Sequence, residues 1–214
     1  MTSRNGMRIL VACEFSGAVR SAFDRLGHDA WSCDLLDSER PGKHIKGNVL
    51  DILENDWDLL IAHPPCTYLS NSGSRWLWNE DGTRNKTRWK SMRESSIFFS
   101  SLLNAPVPHV CVENPIMHKY GKNLIGRKYD QIVQPYQFGH AETKATCFWL
   151  KSLPPLHPVT DLKRETYKKT HKERNRLHYL PPSADRWKLR STTFSGIAAA
   201  MALQWSNNLK EWKT

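Results

Sequence analysis

The sequence predicts an α/β fold built on a doubly wound, mostly parallel sheet. Three observations carry that expectation. Short apolar runs without helical period recur along the chain, and segments with three- and four-residue apolar spacing lie between them. The residues able to do chemistry fall at the ends of those runs.

Residues 7–13 (MRILVAC) form the first such run and read as a buried parallel strand. Ser16 and Gly17 open a helix whose Ala18, Val19, Ala22, Phe23 and Leu26 recur at helical steps, and Gly27 closes it. Residues 29–33 (DAWSC) are a second strand ending at Asp34. Residues 57–62 (WDLLIA) are a third, broken by His63-Pro64-Pro65. After a polar, aromatic-rich stretch, 92–103 make an amphipathic helix. Residues 108–112 (PHVCV) are another strand, ending at Glu113-Asn114-Pro115, and 131–133 and 145–150 (ATCFWL) supply two more. An alanine-rich helix over 196–209 closes the pattern. In such sheets ligands sit at the carboxyl ends of the strands, so one crevice can gather every loaded motif.

The 214 residues suit a single domain, 1–214, in which 153–190 form a basic, loop-rich segment. A hydrophobic content of 39% and a charged content of 24% are those of a soluble globular protein. No apolar run approaches the ~20 residues that span a membrane. Residues 1–7 are short and polar, without the pattern of a signal peptide. Together these features predict no membrane partner and a cytoplasmic location.

Charge narrows the class of partner. Thirty-one Lys and Arg against 21 Asp and Glu give a net +10. The excess concentrates in Arg84, Lys86, Arg88, Lys90 and Arg93 around Trp89, and again over 163–176, which includes Lys168, Lys169 and Arg174. A solvated basic surface explains either stretch alone; together they favour nucleic acid. The five cysteines form no C-x-x-C pair, which argues against a zinc site and a disulfide framework. Four lie in apolar, strand-like surroundings, where cysteine is a small buried hydrophobe. Cys66 does not.

Three motifs carry chemistry. A lone Gly17 after the first strand is a weak signal, but Asp34 at the end of the next strand can accept both hydroxyls of a ribose. With no phosphate-cradling glycine run, a nucleoside cofactor without a pyrophosphate, S-adenosylmethionine, fits better than NAD. Pro64-Pro65 hold the chain rigid before Cys66, whose thiolate is a candidate nucleophile; the alternative is a structural cysteine in a tight turn. A carboxyl group at Glu113 can hydrogen-bond N3 of a pyrimidine, and alone it reads equally as a helix cap or surface carboxylate. Cysteine at one strand end and glutamate at the next form a rarer combination.

With those motifs in place, the sequence resembles the cytosine-5 DNA methyltransferases, in their short phage and prophage form. The likeness runs over residues 8–150 and 193–205 in the family's motif order. It implies a Rossmann-like class I S-adenosylmethionine-dependent fold. Glu14-Phe15-Ser16-Gly17 resembles the cofactor motif, with Phe15 near the adenine, Asp34 on the ribose and Asn48 at the adenine amino group. Pro65-Cys66 with Ser70 resembles the catalytic Pro-Cys motif, and Glu113-Asn114 the Glu-Asn motif. Lys144 and Thr146 stand near the family's paired arginines. Gly196 resembles the glycine of the last motif, beside the cofactor, and Ile197 replaces its usual asparagine. About 40 residues separate Leu150 from Ser191, where the family carries a larger sequence-reading domain. The basic segment there is expected to bind backbone, and a recognition partner or an oligomer is a possible complement.

The resemblance implies a flipped cytosine attacked at C6 by Cys66 while Glu113 holds N3, with a methyl group arriving at C5. Ser70, Asn71, Arg75, Trp76 and Arg88 are expected to bind the DNA, which is expected to be double-stranded, and position alone makes the segment after Cys66 a mobile loop with Gly73 as its hinge. A restriction-protection role follows by analogy. Three rivals stay open. An amino-group methyltransferase needs Asn or Asp before Pro-Pro, where His63 stands. The same carbon chemistry can act on single-stranded DNA, RNA or free nucleotide. The third rival is a nucleic-acid-binding protein without catalysis.

Overall fold

The computed structural model describes residues 6–211, with side chains through Asn207. Most of residues 1–7, read above as a leaderless start, lie outside the described residues. Seven strands form one sheet: β1 (Arg8–Ala12), β2 (Asp29–Asp34), β3 (His44–Lys46), β4 (Leu59–Ala62), β5 (His109–Pro115), β6 (Gln131–Val133) and β7 (Thr146–Lys151). Their spatial order is β3-β2-β1-β4-β5-β7-β6. Pairings from β3 to β5 are parallel; β7 runs antiparallel to both β5 and β6. The expected doubly wound, mostly parallel sheet is the one observed.

Strand alternation builds both faces. Ile9 and Val11 of β1 point to one layer with Leu59 and Ile61 of β4, packed by Val19 and Phe23 of α1 (Ala18–Asp24). Met201 and Trp205 of α7 (Ser195–Glu211) complete that layer. Leu10 and Ala12 point the other way with Leu60 and Ala62, under Met92, Phe99 and Leu102 of α2 (Lys86–Leu103). A strand buried on both faces needs apolar residues at every position, which is why these runs showed no period.

Four elements differ from the sequence reading. The strand β3 went unseen because His-Ile-Lys, half-buried to exposed at the sheet edge, carries no apolar run. The helix α2 begins six residues earlier than expected, at Lys86, where the Asn85 side chain accepts from Arg88 N at 3.0 Å. Its first turns are polar and basic, so their period was hidden. A further helix, α3 (Lys119–Ile125), is capped by His118, whose Nδ1 accepts from Gly121 N at 3.0 Å. Residues 153–190 are not wholly loop. They hold α4 (Lys163–Lys168), α5 (His171–Arg174) and most of α6 (Arg186–Ser191). Among the described residues no helix is long and apolar enough to cross a membrane.

The start of α7 packs against backbone. A Cβ at Gly196 would overlap the Phe138 carbonyl, and Gly196 N donates to His140 Nε2 at 3.1 Å. Gly196→Ala therefore forces α7 away from residues 135–140. We expect a loss of about 1–3 kcal/mol, the usual cost of overpacking, read as a lower urea midpoint with an unchanged m-value.

Candidate active site

The sheet order reverses between β1 and β4, and the loops leaving their carboxyl ends diverge there. The loop after β1 is built on Glu14. Its Oε1 accepts from Val19 N at 2.6 Å and Oε2 from Arg20 N at 3.2 Å, so the carboxylate caps the positive end of α1. Both Glu14 oxygens are thus engaged by the helix, and the residue shapes the loop in which the cofactor role is expected. Gly17 takes φ 61°, a left-handed turn that favours glycine, and Ser16 Oγ accepts from Ala18 N at 3.4 Å.

Arg20, fully buried, fastens the neighbouring loop. Its guanidinium donates to Pro41 O at 2.8 Å, Arg40 O at 2.9 Å and Ser38 Oγ at 3.4 Å. Asp34, half-buried at the end of β2, accepts from Leu36 N through Oδ1 at 3.0 Å. Asn48 is exposed and caps the 3₁₀ turn Val49–Ile52 through Leu50 N at 3.2 Å, so its side-chain oxygen serves the backbone. Phe15 is buried, with Trp187 of α6 against it at 5.2 Å between ring centres. Lys188 of α6 pairs with Glu39 at 3.1 Å.

Past β4, His63 N donates to Ala12 O at 3.0 Å and carries the pairing with β1 one residue further. Pro65 is exposed and Cys66 half-buried. The Cys66 carbonyl accepts from Leu69 N at 3.2 Å and Ser70 N at 3.0 Å, so the thiol sits at the start of a tight turn. That turn is clamped to the chain leaving β5. Asn71 N donates to Ile116 O at 3.0 Å, and His118 N to Leu69 O at 3.1 Å. The segment Asn71–Leu77 is a 3₁₀ helix, and Gly73 within it is buried where a Cβ would overlap the Thr67 carbonyl. Gly73 thus serves close packing, in place of the hinge expected.

Glu113 lies in β5, with its Oε2 3.5 Å from His63 Nδ1, a charge contact longer than a good hydrogen bond. Asn114 is fully buried. Both of its amide atoms and both ring nitrogens of His63 lack a hydrogen-bond partner. Thr146, across from Pro115 on β7, donates from Oγ1 to Lys144 O at 3.2 Å, while Lys144 Nζ donates to Arg190 O at 2.7 Å.

These groups share one field. Burial pushes the Cys66 thiol up, the Glu113 charge adds to it, and Lys144 and Arg190 oppose both; the net is a raised pKa. Burial alone would also raise Glu113, but the His63 contact and the Lys144 charge outweigh it and hold the carboxyl below its usual range. The structure therefore brings Cys66, Glu113 and Lys144 within electrostatic reach of one another. The residues assigned to nucleic acid divide. Ser70, Asn71, Arg75, Trp76 and Arg88 lie around the Cys66 turn, although Ser70 is buried and bonds Ser72 Oγ at 3.0 Å. Lys168, Lys169 and Arg174 sit on and beside α4 and α5. Lys169 Nζ donates to Ala141 O at 2.9 Å, and α5 is tied to the Lys144 segment through Thr143 N and Arg174 O at 2.7 Å. Among the described residues no group of three or more His, Cys, Asp or Glu could hold a metal ion.

No protein-family model and no curated protein sequence matches the chain. Among solved structures it is similar to a prophage-encoded E. coli protein described as a DNA modification methyltransferase. The identity is 14% and the TM-score 0.42, over 68% of this chain and 46% of that one. It is also similar to the Entamoeba histolytica methyltransferase EhMeth, at 17% identity and TM-score 0.44, over 73% of this chain and 58% of that one. The chain spans about half the length of these proteins. Likeness at this level carries no functional argument.

Sequence reasoning gave His63 no role toward Glu113, and it missed Arg20 and the α6 trio Trp187, Lys188 and Arg190. An aromatic among basic residues at 186–190 was the available signal for the last group. Thiol alkylation followed against pH tests the field at Cys66. Cys13 is pushed up to about 12 and Cys33, Cys111 and Cys147 are buried, so the reactive thiol is Cys66. We expect its reactivity to rise on the alkaline side of an ordinary thiol. Lys144→Met should move the profile to higher pH and Glu113→Gln to lower pH, with Cys66→Ala as the blank.

Proposed function

We propose that the protein is an S-adenosylmethionine-dependent DNA cytosine-5 methyltransferase. The observation that carries this reading is the pairing of Cys66 with Glu113 at the carboxyl ends of adjacent parallel strands, with Lys144 in the field of both. A nucleophile and a hydrogen-bonding carboxyl group on neighbouring strand ends are what addition to a pyrimidine requires.

The crevice fits the cofactor in part. Asp34, half-buried at a strand end, suits ribose hydroxyls, and Phe15 and the left-handed turn at Gly17 line the neighbouring loop. Asn48 and Glu14 contribute through the backbone they hold. Gly196 supports the adjoining segment through the close approach of α7 to Phe138. When bound, S-adenosylmethionine supplies an electrophilic methyl group.

The chain's own residues do the rest. Free, the site keeps its proton on Cys66 and its charge on Glu113. Addition needs the reverse, a thiolate at C6 of cytosine and a protonated carboxyl at N3. The proton that Cys66 loses balances the one Glu113 presents, so the pair exchanges roles without net charge entering the crevice. Lys144 stabilises whichever member is anionic. Saturating C6 makes C5 nucleophilic, and loss of the C5 proton afterwards expels Cys66. The unmatched polar atoms of His63 and Asn114 beside this pair support a polar ligand or water there.

The test is nucleoside mass spectrometry of DNA incubated with the protein and S-adenosylmethionine. The wild type should yield 5-methylcytosine, and Cys66→Ala should yield none. Glu113→Gln should lose about 100-fold or more in rate, the scale of a missing acid–base group. A modified amino group in place of C5 would overturn the reading, as would full activity in Cys66→Ala.

A further inference from the structure

The nine tryptophans of this chain are not all in its core. Trp76 and Trp78 are 53% and 38% exposed, two residues apart, immediately after the Cys66 turn. Trp76 makes no ring–ring contact with another aromatic among the described residues, and the Arg75 guanidinium lies 4.3 Å from its ring centre. Trp78 stands edge-on to Trp89 and Tyr120 at 5.9 and 6.2 Å, with Arg84 at 6.0 Å from Trp78 and 4.8 Å from Trp89.

Hydrogen bonds hold together the arm, the turn that bears Trp78 and follows Trp76. Residues 77–85 turn back on themselves through a bridge between Trp78 and Arg84, with Asn79 N on Thr83 O at 2.8 Å and Asn85 N on Leu77 O at 3.0 Å. Trp89 Nε1 anchors the base of the arm on Leu77 O at 2.9 Å. The arm also reaches the nucleophile's turn. Arg88 donates to Thr67 O at 2.9 Å, beside Cys66, and its guanidinium covers Tyr68 at 4.3 Å.

Exposed aromatic faces two residues apart, each flanked by arginine, match a chain of unstacked bases on a phosphate backbone. A duplex keeps its base faces covered by neighbouring pairs and offers such rings nothing to stack on. The segment that stands in place of a recognition domain has only α4, α5 and α6, of six, four and six residues. Each is under two turns, too short to seat in a major groove. At the arm's tip Asp81 is held ionised by Thr83, which marks an edge that a phosphate backbone avoids.

We infer that the substrate is single-stranded DNA, gripped by stacking of successive bases on Trp76 and Trp78 while Arg75 and Arg84 meet its phosphates, so that an adjoining cytosine reaches Cys66 already unpaired. The inference rests on the carbon-5 reading above for the identity of the base, and on the arm alone for the strand.

Fluorescence anisotropy with a labelled cytosine-containing oligonucleotide, single-stranded or annealed to its complement, tests it on the full chain without cofactor. The wild type should bind the single strand more tightly than the duplex. Trp76→Ala should weaken single-strand binding roughly tenfold, the scale of one lost stacking platform, and change duplex binding little. Trp78→Leu, which keeps apolar packing against Trp89, should act in the same direction, and a thermal melt checks that both variants fold. Unchanged single-strand affinity in both folded variants, or an equal loss on the duplex, overturns the inference. Because binding is read without methyl transfer, a protein that grips single strands through these rings and modifies no base would refute the proposed function and the delivery of cytosine to Cys66, and leave standing only the single-strand grip of the arm.

Discussion

The whole arrangement depends on one topological constraint, the reversal of strand order between β1 and β4. From β1 the chain winds outward through β2 to β3, and it then crosses to build β4 and β5 on the other side. In sheets with such a reversal the loops leaving the two central strands diverge, and their carboxyl ends are where ligands sit. Because the strands pair in parallel and in register, Ala12 lies beside Ala62, and Ala62 beside Val112. The residues just past those positions, 13–17, 63–66 and 113–114, reach the same rim without any fine adjustment. The antiparallel β7 then delivers Thr146 against Pro115, which brings Lys144 to that rim from the opposite chain direction.

Electrostatics at the rim follow from that placement. Two acidic groups near each other in a buried setting cannot both ionise cheaply, and the protein resolves the conflict in favour of the carboxylate. His63 and Lys144 face Glu113, so the charge stays there and the thiol keeps its proton. The resting charges thus disfavour the thiolate at Cys66. Arg190, lowering the thiol alongside Lys144, enters from α6, the same short helix whose Trp187 covers Phe15 and whose Lys188 pairs with Glu39. One helix therefore touches both halves of the crevice.

Much of this was legible in the sequence. Strands buried on both faces leave an unbroken apolar run, so β1, β4 and β5 stood out; the ends of β4 and β5 gave Cys66 and Glu113, and the end of β2 gave Asp34. Edge elements were illegible for the converse reason: β3 buries too little to leave a pattern, and the basic first turns of α2 mask its period. Side chains that hold the backbone show no sign of those bonds when read in one dimension. Glu14 and Asn48 are polar groups after strands, and only the fold reveals the amides they cap. Gly73 reads as a hinge, yet its missing Cβ admits the Thr67 carbonyl. The Arg20 guanidinium and the side chains of Trp187 and Lys188 reach partners 18 or more residues away, and no local spacing encodes such contacts.

The central claim is that the Cys66 sulfur bonds to a carbon of the cytosine ring. The most direct measurement is the intact mass of the protein after incubation with S-adenosylmethionine and an oligonucleotide carrying 5-fluorocytosine. Fluorine at C5 cannot leave as a proton does, so the elimination that frees the sulfur is blocked. The account predicts a stable covalent adduct that peptide mapping places on Cys66 and that Cys66→Ala abolishes. An adduct on another residue, or methyl transfer to cytosine with no adduct forming on the fluorinated strand, would contradict it.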